Sequence, residues 1–437
     1  MAALKILLLS VSASGTAQTV TDHVKALCRF SKHEVYSYPH VGVLSDRLPP
    51  GLDLMWFDVL VIHYSVYTIS DDYIGPEAKD LIGRFKGTKV LFVQDEYRQI
   101  NTLHHQMSRM GIDMLFTCVP AEEVEKVYPS SKLPALTKVT CLTGYVPERL
   151  LGRKVSPIVN RHLDVGYRAR KVPYWLGELG AEKWQIVPRF LSHVDGSGLI
   201  CDLSYQEEDR IYGRNWVRFV GSCRTMLGAE SGASVFDFTG DIQTAVDAYV
   251  ADHPGAVFED VQARFLAEHE GRIRLNQISP RCFEAAALRT GMVLYEGSYS
   301  GILHPWTHYI PLQKNYGNIS QVIDAIKNAP LLQEMVDRTY SEIALDPANT
   351  FATFVRQFDA AIGDQLSKRS NACRPVTSPS RTSIRFLLAR IGAAGMLLNF
   401  SRFLWKSVPP EIRRRARPVL EPILGPFRGS IWGSRKS

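Results

Sequence analysis

The run Asp58-Val59-Leu60-Val61-Ile62-His63-Tyr64 decides the fold class, because it is a short apolar strand with polar residues only towards its ends. Strands that are apolar on both faces and alternate with helices indicate a parallel sheet covered on both sides. Residues 1–150 are therefore predicted to form a doubly wound α/β domain. Four other apolar runs belong to the same series: Leu4–Ser10, Lys89–Asp95, Met114–Cys118 and Lys138–Leu142.

A second α/β pattern begins after a Pro-containing, basic connection over residues 144–161. Residues 151–370 are predicted to form a second doubly wound domain that faces the first across a cleft. Ligands of such sheets bind at the carboxyl ends of the strands. In the N-terminal domain this edge carries Ser10–Thr16, His63–Ser65 and Asp95–Arg98. The elements predicted for the second domain include the strands Leu163–Tyr167 and Leu199–Leu203, the apolar run Trp216–Val220, and the helices Leu176–Leu191, Ile242–Ala251, Val257–Glu268, Leu331–Leu345 and Phe351–Leu366.

Composition limits the class of protein. A chain of 437 residues exceeds one ordinary core, and 45% hydrophobic with 22% charged residues is typical of globular domains. The seven cysteines are scattered and include no Cys-x-x-Cys pair, which favours reduced thiols in the cytoplasm over disulfides or a zinc cluster. Only Ile6–Leu9 is apolar near the N-terminus, which is too short for a signal peptide.

The positive charge of the chain lies in its last segment. Residues 371–437 contain 13 Lys and Arg against two Glu, a net charge of +11, so residues 1–370 carry −4 of the total of +7. The segment also contains the largely apolar stretch Ile384–Val408 and the cluster Arg413–Arg415. A basic, hydrophobic tail on a slightly acidic body predicts binding to an anionic membrane surface and no nucleic-acid partner. A helical extension that packs on the body or on a protein partner is the alternative.

The segment Ile278–Gly297 is the most informative for function. It predicts a turn, a short helix, and a buried strand that ends in an acid. Glu284 is the only acid on an otherwise apolar helix. A buried carboxylate needs partners that offset its desolvation, so this residue is a candidate for ligand contact. Neutralisation of the helix dipole is the alternative role for Glu284.

The Arg281-Cys282-Phe283-Glu284-Ala285 run resembles the donor-sugar segment of the two-domain (GT-B) glycosyltransferases, of the group 1 or CgeB-like type. The resemblance implies two Rossmann-like domains and a nucleotide-sugar donor whose sugar hydroxyls donate to Glu284. The second acid of the family lies eight positions on, where this sequence has Met292, and the next acid is Glu296. The resemblance therefore implies that Glu284 acts at the sugar. Glu296, which is not at the family spacing, is the remaining candidate for the ribose of the nucleotide.

Two segments upstream could bind the diphosphate of such a donor. Gly166–Lys171 follows the first strand of the second domain and supplies cations, although a solvated loop is an equal alternative. Gly228–Ser234 is a Gly- and Ser-containing turn whose backbone N–H groups could cradle an anion. Arg281 is expected to pair with Glu284 or with a phosphate. The candidates for donor contact in these segments are Arg168, Arg170, Lys171, Glu230, Ser231 and Gly232.

The loop Gly301–Tyr309 contains imidazole and aromatic groups that suit stacking on a base or sugar, with His308 and Tyr309 as donor-binding candidates. His304 and His308 lie four residues apart, but Pro305 interrupts a helix and no third ligand is apparent, so no metal site is predicted.

In the N-terminal domain, Asp95 and Glu96 follow a strand and are the candidates for acceptor contact or general base catalysis. His63, His104 and His105 are alternatives. Walker, Gly-x-Ser-x-Gly and Gly-x-Gly-x-x-Gly motifs are absent from the sequence, which disfavours NTPase, hydrolase and dehydrogenase functions.

These features predict transfer of a sugar from a nucleotide-diphosphate donor to a glycan or lipid-linked acceptor, in the synthesis of a cell-surface polysaccharide. We expect a retaining, metal-independent hexosyltransferase without a cofactor, located in the cytoplasm and peripherally at the inner face of the plasma membrane. The alternatives are a nucleotide-sugar epimerase of the same fold and a non-catalytic scaffold of a polysaccharide assembly complex.

Overall fold

The N-terminal domain is built on a six-stranded parallel sheet with the order β2-β1-β3-β4-β5-β6. The computed structural model describes residues 3–11, 17–40, 51–368 and 379–393. The edge strand β2 was not predicted from the sequence. The strands are β1 (Lys5–Val11), β2 (Glu34–His40), β3 (Val59–Ile62), β4 (Thr88–Phe92), β5 (Met114–Thr117) and β6 (Thr137–Thr140), and the helices are α1 (Gln18–Phe30), α2 (Pro76–Arg84), α3 (Ile100–Met110) and α4 (Val124–Val127).

The second domain has a five-stranded parallel sheet with the order β13-β12-β9-β7-β8, and an antiparallel hairpin of β10 and β11. The apolar run 216–220 lies inside a helix, because its buried residues Phe219 and Val220 form one face. The strands are β7 (Leu163–Arg168), β8 (Cys201–Ser204), β9 (Cys223–Gly228), β10 (Ser231–Ala233), β11 (Leu275–Gln277), β12 (Gly291–Tyr295) and β13 (Ile310–Leu312). The helices are α5 (Glu178–Val194), α6 (Gly213–Ser222), α7 (Asp241–Asp252), α8 (Phe258–Val261), α9 (Pro280–Ala287), α10 (Ile319–Lys327) and α11 (Ala329–Thr339).

The two sheets share one topology. In each, the first strand lies between the second and the third, so the strand order reverses beside β1 in one domain and beside β7 in the other. Ligands of open α/β sheets bind at this switch point, outside the carboxyl ends of the strands. The predicted fold class, two Rossmann-like domains, is confirmed. The segment Ser12–Thr16, which follows β1, lies outside the described residues.

A long helix, α12 (Phe351–Ser367), returns from the second domain to the first. Its buried residues Phe354 and Phe358 pack in the core beneath the N-terminal sheet, where Phe358 stacks on Phe92 at 5.8 Å between ring centroids. The carboxylate of Asp359 accepts hydrogen bonds from Ser31 Oγ at 2.7 Å and from the N–H of Lys32 at 2.8 Å. The assignment of residues 151–370 to one domain was therefore wrong at its end, because α12 completes the N-terminal core.

The described part of the tail includes a helix over residues 381–393. Ile384 and Leu388 are buried against the N-terminal core, whereas Arg385, Phe386 and Arg390 are exposed. The rest of the predicted 384–408 stretch and the arginine cluster 413–415 lie outside the described residues. No helix in the part of the chain that the structure describes is long and apolar enough to cross a membrane.

Candidate functional site

The cleft between the domains contains a cavity of about 770 Å³ at the carboxyl ends of the strands. A recess of about 380 Å³ adjoins it between α1, α6 and α9 and reaches Glu284. Another cavity, of about 520 Å³, lies near residues 155–161 on the second domain, away from these strand ends. The cleft is the candidate site because both domains line it at their topological switch points.

Three cations of the second domain converge on the cleft. Arg170 follows β7, Lys183 lies on α5, and Arg281 lies in the first turn of α9, and all three line the cavity. They lie close enough to one another that the charges of Arg281 and Arg170 both act on Lys183. Within residues 51–368, none of the three forms an ion pair with a carboxylate. Three cations, one of them in the first turn of α9, make this part of the cleft suitable for a multiply charged anion, although the charges of Asp95 and Glu182 also act on Lys183.

Lys183 was not predicted, although the sequence contains a signal for it. Its ammonium donates to the carbonyl oxygen of Gly232 at 2.7 Å. Burial lowers the pKa of Lys183 to about 8, and the nearby charge of Arg281 lowers it further. Along α5, Lys183 falls on the apolar stripe that includes Leu179, Val187 and Phe190. A single lysine on the buried stripe of a helix is the pattern that would have identified it.

Glu284 occupies the position that the sequence predicted, buried on an apolar helix. Its Oε2 accepts a hydrogen bond from the indole Nε1 of Trp216 at 2.8 Å. Burial raises the pKa of Glu284, and the Trp216 hydrogen bond and the charge of Arg149 oppose that rise. Trp216 lies on α6 and was not predicted, because the sequence does not reveal that α6 packs beside α9.

Arg149 connects the two domains at Glu284. Its Nη2 lies 3.1 Å from Asp22 Oδ2 on α1 and 3.8 Å from Glu284 Oε1 on α9. A second connection is buried, where Gln277 Nε2 donates to the carbonyl oxygen of Cys118 at 2.7 Å. The carboxylate of the donor-side helix is therefore held by contacts from both sides of the cleft.

The Gly228–Ser234 segment differs from its prediction. Glu230 lines the cavity, but its carboxylate already accepts from Asn276 Nδ2 at 2.8 Å and from the N–H of Tyr299 at 2.7 Å. Ser231 lines the cavity directly. Gly232 has a φ of +123°, and a Cβ there would lie 1.6 Å from the carbonyl oxygen of Leu275. Gly232 is thus required by the β10–β11 hairpin, and no helix follows to complete an anion cradle.

The structure places Arg168 and Lys171 differently from Arg170. The guanidinium of Arg168 donates to the carbonyl oxygens of Asp209 and Asp202 and forms an ion pair with Asp202 Oδ1 at 2.7 Å, and the residue borders the recess that reaches Glu284. Lys171 lies over the ring of Tyr174, 4.8 Å from its centroid, and does not line the cavity. Of these three cations, only Arg170 lines both the cavity and the recess.

The later donor-side candidates also lie outside the cavity. Glu296 is exposed after β12 and does not line it. His308 is buried, with Nε2 2.9 Å from Glu342 Oε2, and its Nδ1 accepts from the N–H of His304. Tyr309 is buried against Tyr299. The loop therefore serves packing, and no group of three or more His, Cys, Asp or Glu in the described residues could hold a metal ion.

Of the two acceptor-side acids, only Asp95 faces the cleft. Asp95 is exposed, lines the cavity and accepts a hydrogen bond from the hydroxyl of Tyr97 at 3.0 Å. Glu96 points into the domain, where Thr117 Oγ1, the N–H of Cys118 and the hydroxyl of Tyr128 donate to it. Burial raises the pKa of Glu96 to about 7, and these hydrogen bonds oppose the rise. The placement of Glu96 at the acceptor was wrong, because consecutive residues after β4 diverge.

The histidine alternatives do not line the cavity. His63 is buried, with Nε2 2.9 Å from His23 Nδ1 and Nδ1 2.9 Å from Ser65 Oγ. Burial lowers the pKa of His63, so the ring is neutral. His104 is bonded to the carbonyl oxygen of Val127, and His105 is exposed on α3.

The chain was compared with known proteins. No family model and no curated protein matches it. An α-glucosyltransferase solved with UDP and a 13-mer DNA containing an HMU base has a TM-score of 0.48 at 10% identity, over 82% of this chain and 99% of its own. T4 phage BGT with UDP-glucose has a TM-score of 0.45 at 12% identity, over 84% and 99%. Anabaena Alr3699/HepE with UDP and glucose has a TM-score of 0.46 at 10% identity, over 84% and 100%.

The two Rossmann-like domains of this chain are defined by its own two sheets. At identities of 10 to 12% and TM-scores below 0.5, the roles of residues in these structures are not assigned to residues of this chain. Function is therefore argued from the cleft.

Proposed function

We propose that this chain is a glycosyltransferase that uses a nucleotide-diphosphate sugar. The observation that carries the proposal is the convergence of Arg170, Lys183 and Arg281 at the carboxyl ends of β7 and β9. A nucleoside diphosphate is an anion of matching charge, and departure of the nucleotide requires stabilisation of the negative charge that develops on it. The adjoining recess places Glu284 where its second oxygen can accept hydrogen bonds from sugar hydroxyls.

In this proposal the acceptor lies against the N-terminal wall, and its hydroxyl donates to Asp95. The acceptor oxygen forms a bond to C1 of the sugar on the same face from which the diphosphate oxygen departs, its proton passes to Asp95, and the cations hold the leaving diphosphate. A retaining, metal-independent transfer of a hexose to a glycan or lipid-linked acceptor agrees with the Glu284 helix. The synthesis of a cell-surface polysaccharide is the proposed context.

The test begins with binding. Thermal-shift and calorimetric titrations with UDP-, GDP-, ADP- and dTDP-sugars should identify one nucleotide that stabilises the protein. Arg281→Gln should weaken that binding at least tenfold, whereas Arg153→Gln, a change of an exposed arginine outside the cleft, should not. Stabilisation by no nucleotide, or equal effects of the two variants, would contradict the proposal.

Product chemistry separates transfer from its rivals. Incubation with the donor alone, followed by proton NMR, should give at most slow hydrolysis with retention at C1. Conversion of the donor into its epimer without an acceptor would instead establish an epimerase. Nucleotide binding without turnover on any acceptor or water would favour a scaffold.

We also propose that residues 371–437 hold the enzyme at the cytoplasmic face of an anionic membrane. The exposed Arg385, Phe386 and Arg390 on the docked 381–393 helix support this role. The full chain should sediment with vesicles that contain phosphatidylglycerol and not with pure phosphatidylcholine. A chain that ends at residue 393 should lose most of this binding. Equal binding of the shortened chain would show that the basic residues after 393 do not contribute to membrane binding.

A further inference from the structure

The N-terminal wall of the cleft contains a cation that the donor site does not need. Arg98 follows β4 and lines the cavity opposite the donor-side cations. Its guanidinium lies over the ring of Tyr67, 4.8 Å from the centroid, and 5.8 Å from the ring centroid of Trp175, which comes from the second domain. Within the described residues, Arg98 forms no ion pair with a carboxylate.

The position of Arg98 is fixed by the backbone. The carbonyl oxygen of Tyr97 accepts from the N–H of Asp237 at 2.8 Å, and the N–H of Ile100 donates to the carbonyl oxygen of Asp237 at 3.4 Å. Arg98 itself forms an isolated parallel bridge with Asp237. The segment is thus anchored to the second domain on both sides of Arg98, which presents the guanidinium to the cavity without a long mobile loop.

A second donor lies beside this cation. The hydroxyl of Tyr67 is buried, and apart from the neighbouring guanidinium of Arg98 it has no hydrogen-bond partner in the described parts of the chain. Burial raises the pKa of Tyr67, and the charge of Arg98 opposes that rise. A buried hydroxyl without a partner is costly unless a ligand satisfies it. The stacked guanidinium keeps its in-plane N–H groups free for a planar or tetrahedral anion.

We propose that the acceptor carries an anionic group, a carboxylate or a phosphate, that binds Arg98 and the hydroxyl of Tyr67. The proposal rests on the function proposed above. Tyr73 and Tyr97 line the same wall and supply aromatic faces for a sugar ring. Asp95 lines the same cavity, so a hydroxyl of the acceptor can reach its carboxylate while the anionic group of the acceptor binds Arg98. A neutral acceptor would leave the Arg98 charge and the Tyr67 hydroxyl without partners in a closed cleft.

The test compares matched ligands on the full-length protein saturated with the nucleoside diphosphate (UDP, GDP, ADP or dTDP) that the donor screen identifies. Phenyl glucoside is the neutral probe, phenyl glucuronide carries a carboxylate on the sugar, and a short prenyl-diphosphate glucose carries phosphate on the lipid side. At least one anionic probe should bind ten times more tightly than phenyl glucoside by calorimetry. The preferred probe distinguishes a uronate-containing glycan from a lipid diphosphate.

Variants separate the anion site from the donor site. Arg98→Gln should abolish the preference for the anionic probe and leave the Kd of that nucleoside diphosphate within twofold, and Tyr67→Phe should reduce the preference severalfold. Arg84→Gln, a change of an exposed arginine on α2, is the matched control. Equal binding of all three probes to the wild type would overturn the inference. Weaker binding of the nucleoside diphosphate to Arg98→Gln would also overturn it, because that result would assign Arg98 to the donor. Failure of UDP, GDP, ADP and dTDP alike to bind the wild type would overturn the proposed function itself.

Discussion

Lys183 should couple binding of the donor to pH. Its ammonium reaches the cleft with one protein hydrogen bond, to Gly232, and a pKa lowered to about 8. Replacement by Met keeps the length of the stem and removes the charge. A hydrogen bond to a charged group contributes about 1.5–3 kcal/mol. Lys183→Met should therefore weaken binding of the nucleotide-sugar about 10- to 100-fold at pH 7.

The sign of the pH dependence follows from the direction of the pKa. In the free protein, the pKa of Lys183 lies below its ordinary 10.5. A bound diphosphate brings negative charge and raises that pKa, so the complex favours the protonated amine. Affinity should be highest below pH 8 and fall about tenfold between pH 7 and pH 9, with uptake of protons on binding.

Calorimetry with the nucleotide-sugar at pH 7, 8 and 9, in two buffers of different ionisation enthalpy, measures both the affinity and the protons taken up. The wild type should lose affinity across this range, and Lys183→Met should not. Lys171→Met, on the same domain but outside the cavity, should behave as the wild type. An unchanged pH dependence in Lys183→Met, or an equal loss of affinity in Lys171→Met, would refute the assignment.

Three further predictions concern Glu284, its hydrogen-bond partner Trp216, and Glu96 in the core of the N-terminal domain. Glu284→Gln should lower turnover at least 100-fold while the affinity for the nucleoside diphosphate stays within threefold, since the nucleoside diphosphate lacks the transferred sugar. Steady-state rates and calorimetry test this, and an equal loss of affinity for the nucleoside diphosphate would contradict it. Trp216→Phe removes the hydrogen bond to Glu284, so it should lower kcat about tenfold. It should also lower the free energy of unfolding, measured in urea, by about 1–3 kcal/mol. An unchanged kcat would contradict a positioning role for Trp216. Glu96 has its native pKa raised to about 7 from 4.5, so the wild type should lose up to about 3 kcal/mol as pH rises from 4.5 to 7. The Tm of Glu96→Gln relative to the wild type should thus rise from pH 5 to pH 8, and a constant difference would contradict the raised pKa.

Apolar strand runs predicted most of the fold because burial on both faces leaves a local signature. The same reasoning missed β2, whose sequence Glu-Val-Tyr-Ser-Tyr-Pro-His mixes polar residues as an edge strand does. It also placed α12 in the wrong domain, because a hydrophobic helix stripe does not specify which core it will contact.

The site was predicted where the chemistry is local and missed where it depends on packing. The sequence around Glu284 predicted that it is buried, and the sequences around Arg170 and Arg281 predicted that both line the cleft. Arg168 could not be separated from Arg170, since the direction of the Arg168 side chain depends on Asp202, which lies on β8, and on Asp209, which follows it. Trp216 comes from a distant element, and only three-dimensional packing brings it to Glu284.

The return of α12 to the N-terminal sheet determines how this chain can be recombined with another of the same fold. A chimera that joins residues 1–150 of one protein to the remainder of another would separate Phe92 from Phe358 and Ser31 from Asp359, partners that belong to one folding unit. A workable exchange of acceptor specificity would have to transplant α12 together with the N-terminal half, as a discontinuous module. Divergence of acceptor preference in such enzymes is therefore expected to involve paired changes at the two ends of the chain.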